Sequence, residues 1–305
     1  MKDNRLIIAT RKSRLALWQS HFVMHELMQA WPGLEVELLP LSTRGDEVLD
    51  QPLTTIGGKG LFLKELERAL LDGRADIAVH SLKDVPAESP EGLMLGAVLP
   101  RADAEDVWIS RHGLSIGQLA SGSRVGSSSL RRMSQLCAVR KDLELVGLRG
   151  NVETRLKAVA SGQVDATILA AAGLRRLDIE PENAIELPLE EWLPAPGQGV
   201  ITVQCRASDS AVTERIRAIH CSHTAAVVAA ERAVVERLGG DCRMPLAALA
   251  VLRENQLRLK ARLGSTSGLL IDCDETDTID NAKSLGSRVA DQLLAKGGQQ
   301  LLAID

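Results

Sequence analysis

Short aliphatic runs alternate with amphipathic stretches along most of this chain, and that alternation admits few folds. Leu6–Ala9, Leu34–Pro40, Asp76–His80 and Leu93–Leu99 read as strands, with Ser13–Ala30 and Leu61–Leu71 reading as helices between them. A second series follows at Val107–Ser110, Arg124–Gly126, Leu143–Leu148, Asp165–Ala170 and Ala184–Leu187, again with helical segments between. Such alternation builds α/β layers. Pro100-Arg-Ala-Asp103 separates the two series, and Pro194-Ala-Pro-Gly-Gln-Gly199 closes the second before another strand at Val200–Cys205. Two connections of this kind fit a two-lobed protein whose chain crosses over and returns. From Ser222 the texture changes: a long Ala/Val-rich helix (Thr224–Leu238), then strands near Leu246–Arg253, Gln256–Leu263 and Leu269–Asp274, then a helix near Thr278–Lys296. Helices and strands segregate here, as in a small α+β domain. The predicted division is residues 1–99 with 200–217 as lobe 1, 100–199 as lobe 2, and 218–305 as the C-terminal domain. No internal repeat is evident in the sequence.

Composition narrows the function. The chain has 305 residues, 45% of them hydrophobic and 25% charged, as in ordinary soluble domains. No apolar run approaches a membrane span, and the N-terminal segment is too quickly polar for a signal peptide, so cytoplasmic residence is expected. The five cysteines show no C-x-x-C spacing and the six histidines no H-E-x-x-H, so neither a disulfide framework nor a metal site is expected. With no tyrosine and two phenylalanines, Phe22 and Phe62, a base-stacking platform for nucleic acid is not expected either. The net charge of −4 hides an asymmetry: Arg124 to Arg176 carries ten Lys/Arg and four Asp/Glu, 10 − 4 = +6. That balance suits either a focused site for an anionic small molecule or a solvated helical face.

Placement favours the site. Asp76-Ile-Ala-Val-His-Ser-Leu-Lys-Asp-Val-Pro86 runs an apolar strand into a polar elbow carrying Lys83 and Asp84. Pro86 disfavours helix at Val85, so the elbow is expected to stay extended. In a parallel sheet, Asp84 then lies at the carboxyl end of its strand, where open α/β folds hold ligands. Three further corners lead from strand to helix: Ala9-Thr-Arg-Lys-Ser13, Gly126-Ser-Ser-Ser-Leu-Arg-Arg132 and Leu148-Arg-Gly-Asn151, with Arg155 one turn on. Helix N-termini offer free N–H groups, and arginine adds a planar fork for carboxylates. Ser and Asn are also ordinary helix caps. Taken with Arg175-Arg176, the three corners point to a ligand with several carboxylates, phosphate being the other choice. Gly57-Gly-Lys-Gly60 lacks the P-loop pattern and reads as a ligand-contacting loop or a plain connection. Cys242 follows a helix C-terminus beside Asp241, both of which disfavour a thiolate while only Arg243 favours it, so it suits a one-time covalent attachment better than repeated turnover; a plain free cysteine in a loop is the other reading.

With these residues in order, the chain resembles the porphobilinogen deaminase (hydroxymethylbilane synthase) family from end to end. The motifs that carry the resemblance are the Arg11 corner, Thr43-Arg-Gly-Asp46, Gly57-Gly-Lys-Gly-Leu-Phe62, His80-Ser-Leu-Lys-Asp-Val-Pro86, the Arg131 and Arg149 corners, Pro196-Gly-Gln-Gly199 and Glu231-Arg232 with Cys242. The resemblance implies an α/β fold: two periplasmic-binding-protein-like lobes around a cleft, plus a small C-terminal α+β domain. It implies head-to-tail condensation of four porphobilinogen molecules, with release of ammonia, to hydroxymethylbilane for tetrapyrrole and haem synthesis. The implied primer is a dipyrromethane held by a thioether to Cys242. Asp84 is the implied catalytic group. Arg11, Ser13, Ser81, Lys83, Ser128 and Ser129 are implied in binding primer and substrate, as are Arg131, Arg132, Arg149, Gly150, Arg155, Arg176 and Gln198. Gly57, Gly58, Lys59 and Phe62 are implied as a flexible loop. A cytoplasmic monomer with a small-molecule substrate and no nucleic-acid or membrane partner is expected. Thr55 stands where relatives carry lysine, Asp241 where a small residue is usual, and Met244 where a β-branched residue is usual. The rival reading is a two-lobed anion-binding or sensor protein without catalysis.

Overall fold

Strand β1 (Arg5–Arg11) starts the first sheet in a computed structural model that describes residues 4–42, 63–240 and 244–304. Leu6 and Ile8 face one side and Ala9 the other, and all three are buried, so the strand is apolar on both faces. Helix α1 (Arg14–Ala30) follows, capped by Ser13. Its buried stripe, Ala16, Ser20, Val23 and Leu27, keeps one face of a 3.6-residue period on the sheet. Trp31-Pro-Gly33 ends it, Gly33 taking the left-handed φ of +88° that glycine adopts without strain. Strand β2 (Glu35–Leu41), helix α2 (Lys64–Leu71), strand β3 (Ile77–Ser81) and strand β4 (Leu93–Val98) complete the first series.

The second series gives β5 (Asp106–Ser110), β6 (Arg124–Gly126), α3 (Leu130–Val139), β7 (Glu144–Val146), α4 (Val152–Ala160), β8 (Ala166–Ala170), α5 (Ala171–Arg176) and β9 (Ala184–Glu186). The chain then returns through β10 (Ile201–Arg206) and α6 (Ser210–Arg217). The first sheet has the order β2-β1-β3-β10-β4 and the second β7-β6-β8-β5-β9. In each, three neighbouring strands run parallel and the fourth is antiparallel to both its neighbours. The antiparallel strand is the last of its sheet in sequence in one case and the first in the other, as the predicted crossing and return require. Both sheets thus share one strand order within the expected α/β layers.

After α7 (Ser222–Arg237) come β11 (Leu246–Arg253), β12 (Gln256–Gly264), β13 (Leu270–Thr278) and α8 (Ala282–Leu293). The strands form an antiparallel meander. Its inner face (Ala248, Ala250, Leu259, Ala261, Leu263) packs with Leu285, Val289 and Leu293. Each fully buried Leu or Val among them contributes roughly 1.5–3 kcal/mol. This is the expected α+β domain. The chain divides into two compact units, Met1–Ala102 with Val200–Ala225, and Asp103–Gly199 with Ala226–Asp305.

Candidate active site

In the first unit a pocket opens at the carboxyl ends of β1 and β3. Arg11, Ser13, Gln19, His80, Ser81 and Asp84 line it, with Leu15, Ala16, Leu63 and Val79 as its apolar wall. Asp84 is exposed and Lys83 half-buried. The elbow departs from the extended expectation: Leu82–Asp84 winds one 3-10 turn, closed by the Val85 N–H donating to Leu82 O at 3.0 Å. Val85 itself is extended, at φ −92° and ψ 123°. Proline restricts only the residue before it, which leaves the preceding three free to wind. The turn is held from behind, because the Leu82 N–H donates to Val200 O at 2.9 Å. Ser13 Oγ accepts from the Ala16 N–H at 3.4 Å as the α1 cap. Ser81 Oγ accepts from Gln19 Nε2 at 2.8 Å. A cation, a carboxylate and a helix N-terminus therefore line one pocket, an arrangement that can seat a zwitterion.

In the second unit the other two corners are also helix N-termini. Ser129 caps α3 and Asn151 caps α4. Ser128 Oγ donates to Leu148 O at 3.0 Å, tying the two corners together. Gly150 takes φ +108°, and its carbonyl accepts from Arg155 Nε at 3.0 Å. Arg149 and Arg155 are half-buried.

Arg131 and Arg132 turn inward. Arg131 Nη1 donates to Asp106 Oδ2 at 2.8 Å and to Leu193 O at 2.8 Å; Arg132 Nη2 donates to Asp106 Oδ1 at 2.7 Å. Gln198, fully buried, donates to Ala104 O at 2.7 Å and to Asp106 Oδ1 at 3.0 Å. Burial pushes the Asp106 carboxyl upward, but the attraction and hydrogen bonds of the two guanidinium groups outweigh it and hold it well below the usual carboxylate range. Arg176 Nη2 donates to Gly199 O at 2.7 Å, and burial pushes its guanidinium down to about 10.

Cys242, Asp241, Thr55, the Thr43–Asp46 motif and the loop residues Gly57, Gly58, Lys59 and Phe62 lie outside the described residues. Met244 is half-buried against the C-terminal core. Asp106, Gln19 and the role of His80 escaped sequence reasoning. Asp106 had one faint signal: an acid opening an otherwise apolar strand. Among the described residues, no cluster of His, Cys, Asp and Glu could hold a metal ion, and no helix is long and apolar enough to cross a membrane.

Residues 6–215 match the family described as porphobilinogen deaminase, dipyromethane cofactor binding domain, and residues 225–295 match its C-terminal domain. The chain is 52% identical over 299 residues to the porphobilinogen deaminase of Xanthomonas axonopodis pv. citri (strain 306), covering 98% of each. With the porphobilinogen deaminase of Xanthomonas campestris pv. campestris (strain B100) it is 51% identical over 299 residues, again 98% of each. Among solved structures, the methionine binding protein MetQ aligns over 72% of this chain and 91% of its own, at a TM-score of 0.46 and 12% identity.

Proposed function

The chain belongs to the porphobilinogen deaminase family, and from that premise we propose how its residues condense four porphobilinogen molecules into hydroxymethylbilane. The observation that carries the assignment of roles is the shared pocket of Arg11, Ser13 and Asp84 at the carboxyl ends of two parallel strands. Porphobilinogen has an acetate and a propionate arm beside an N–H and an aminomethyl group. Arg11, Ser13, Ser81 and Lys83 hold arms in the first unit. Ser128, Ser129, Arg149, Gly150, Arg155 and Arg176 do so in the second. Arg131 and Arg132, with Gln198, contribute the net positive charge of two guanidinium groups against one carboxylate. Arg131 Nε is a spare donor, buried and without a hydrogen-bond partner among the described residues.

This donor set fits a dipyrromethane, which carries the same carboxylate arms. Cys242 holds it through a thioether, and when bound it supplies the pyrrole carbon to which the first substrate is joined. Loss of ammonia from porphobilinogen leaves a cationic azafulvene, and its positive charge passes through the ring nitrogen. Asp84 stabilises that charge where it develops and takes the ring N–H as a hydrogen bond. Fixing the arms positions the rings, which replaces an encounter between free molecules. We assign Gly57, Gly58, Lys59 and Phe62 a role in contacting the ligand. The three-part division at residues 99, 199 and 217, a monomeric state and cytoplasmic residence complete the proposal.

A sensor or solute-binding role is not favoured, since relatives spanning nearly the whole chain are deaminases. Intact mass of the purified protein tests the attachment. The parent chain carries an added two-pyrrole unit and Cys242→Ser does not; an active enzyme at bare polypeptide mass would overturn the proposal.

A further inference from the structure

Glu67 on α2, Gln204 on β10 and His80 on β3 form a hydrogen-bonded line that ends at the pocket wall. Gln204 is fully buried. Its Oε1 is 3.0 Å from His80 Nε2, and its Nε2 is 3.3 Å from Glu67 Oε1. Glu67 as a carboxylate has acceptors alone, so Gln204 turns its NH2 group to Glu67 and its carbonyl oxygen to His80. A carbonyl oxygen takes only a donor, which places the ring proton on Nε2 and leaves Nδ1 a bare lone pair. His80 lines the pocket that holds Asp84 and Arg11. We propose that the Glu67–Gln204 line fixes His80 as an uncharged acceptor that shares the pyrrole N–H of the bound substrate with Asp84, with Gln204 and Glu67 as positioning residues. The inference rests on the reading that this pocket binds porphobilinogen.

The surroundings keep the ring neutral. Burial pushes His80 down to about 4; the Gln204 hydrogen bond pulls upward and Arg11 pushes further down. Asp84 lines the same pocket, and Glu67 meets the ring through the Gln204 amide; burial pushes the Glu67 carboxyl upward, while the Gln204 hydrogen bond and Lys64 pull it down. A neutral ring adds no second positive charge where the azafulvene cation forms, and its lone pair complements the Asp84 carboxylate. An amide between acid and ring is what separates this line from a carboxylate–imidazole pair, which would charge the ring.

Exchanging the two ends of the line tests this. In the Glu67→Gln, Gln204→Glu double variant the same groups remain, but a carboxylate faces His80 Nε2. With 15N-histidine-labelled holoenzyme and His80→Asn for assignment, the parent should show a neutral Nε2–H ring from pH 6 to 8. The double variant should show an imidazolium near neutral pH. Its kcat with porphobilinogen should gain an acid limb, falling roughly tenfold per pH unit below the new pKa. An Nδ1–H ring or an imidazolium in the parent overturns the proposal. So does a charged ring in the double variant with kcat unaltered. If the double variant does not fold, Gln204→Met takes its place: both tautomers should appear and KM should rise, and an unchanged tautomer with unchanged KM overturns the idea. The spectra stand apart from the substrate assignment; an Nε2–H ring in a parent inert toward porphobilinogen would sink only the functional reading.

Discussion

Arg131 donates from Nη1 to Asp106 Oδ2 at 2.8 Å, with the two side chains 5% and 0% exposed. The same carboxylate accepts from Arg132 on both oxygens, from Trp192 Nε1 at 2.9 Å and from Gln198 Nε2 at 3.0 Å. One buried acid therefore gathers α3, β5 and the 192–198 connection into a single node. The arginine pair that reads as a ligand corner also fixes the segment through which the chain leaves the second sheet.

Removing that acid leaves two buried guanidinium charges facing each other. Asp106→Asn should lose about 3–5 kcal/mol at pH 7, measured by urea unfolding. The sign with pH follows from a carboxyl held below its unfolded value near 3.9. Its stabilisation is complete above that value and is lost as pH falls, by about 1.4 kcal/mol per unit. The deficit of the variant should therefore shrink below pH 4. Equal deficits at pH 7 and pH 3 would count against the ionised node.

Gly150 occupies a left-handed φ of +108°, and a Cβ there would lie 2.7 Å from Thr154 Cγ2. Thr154 cannot easily yield, because its hydroxyl and N–H both donate to Asn151 Oδ1 at 2.7 and 2.8 Å. Gly150→Ala should cost about 1–3 kcal/mol in thermal unfolding and raise KM for porphobilinogen by displacing Arg149. A variant with parental stability would show that the loop relaxes freely.

Burial takes the Arg176 guanidinium down to about 10, which still leaves it charged at neutral pH. A lysine starts about two units lower, near 10.4, and shifts more readily when buried. In Arg176→Lys the same burial should push the ammonium down from that value, closer to neutral pH. Because only the charged form binds a carboxylate, KM should climb with pH between 7 and 9 in the variant and stay level in the parent. Parallel KM profiles would place Arg176 away from the ligand.

Much of this was legible in the residues, and the remainder has physical reasons. Arg124–Gly126 and Leu246–Arg253 stand in the fold with their expected bounds because glycine, proline and polar residues punctuate both. Ser13, Ser129 and Asn151 open helices, as their residue types favour. The Leu82–Asp84 turn has no signal in the sequence because the constraint from Pro86 stops at Val85. His80 and Gln204 meet across 124 positions, and Gln204 and Glu67 across 137, which no local pattern discloses. Asp106 stands 25 positions before Arg131, so its hold on the arginine pair has no local signal. The shared strand order of the two sheets is a likeness of topology, carried by different residues, and leaves no repeat in the sequence.

Asp84 offers the sharpest separation of binding from chemistry. It sits on a turn braced at both ends, by Val85 N–H on Leu82 O and by Leu82 N–H on Val200 O, so a substitution at its exposed side chain should leave the backbone in place. Asparagine keeps the shape and can still accept a hydrogen bond from a pyrrole N–H, but it carries no charge to offset a cation. Asp84→Asn should therefore bind porphobilinogen with a dissociation constant near that of the parent. Its kcat should fall by roughly 10²–10³, as when a single group aimed at a developing charge is removed. Glutamate restores the charge one methylene further out and should recover part of that loss. Rapid-quench turnover beside equilibrium binding makes the measurement. If Asp84→Asn lost binding and kcat together, the carboxylate would be gripping the ground state, and the charge-stabilising role would have to move to another group.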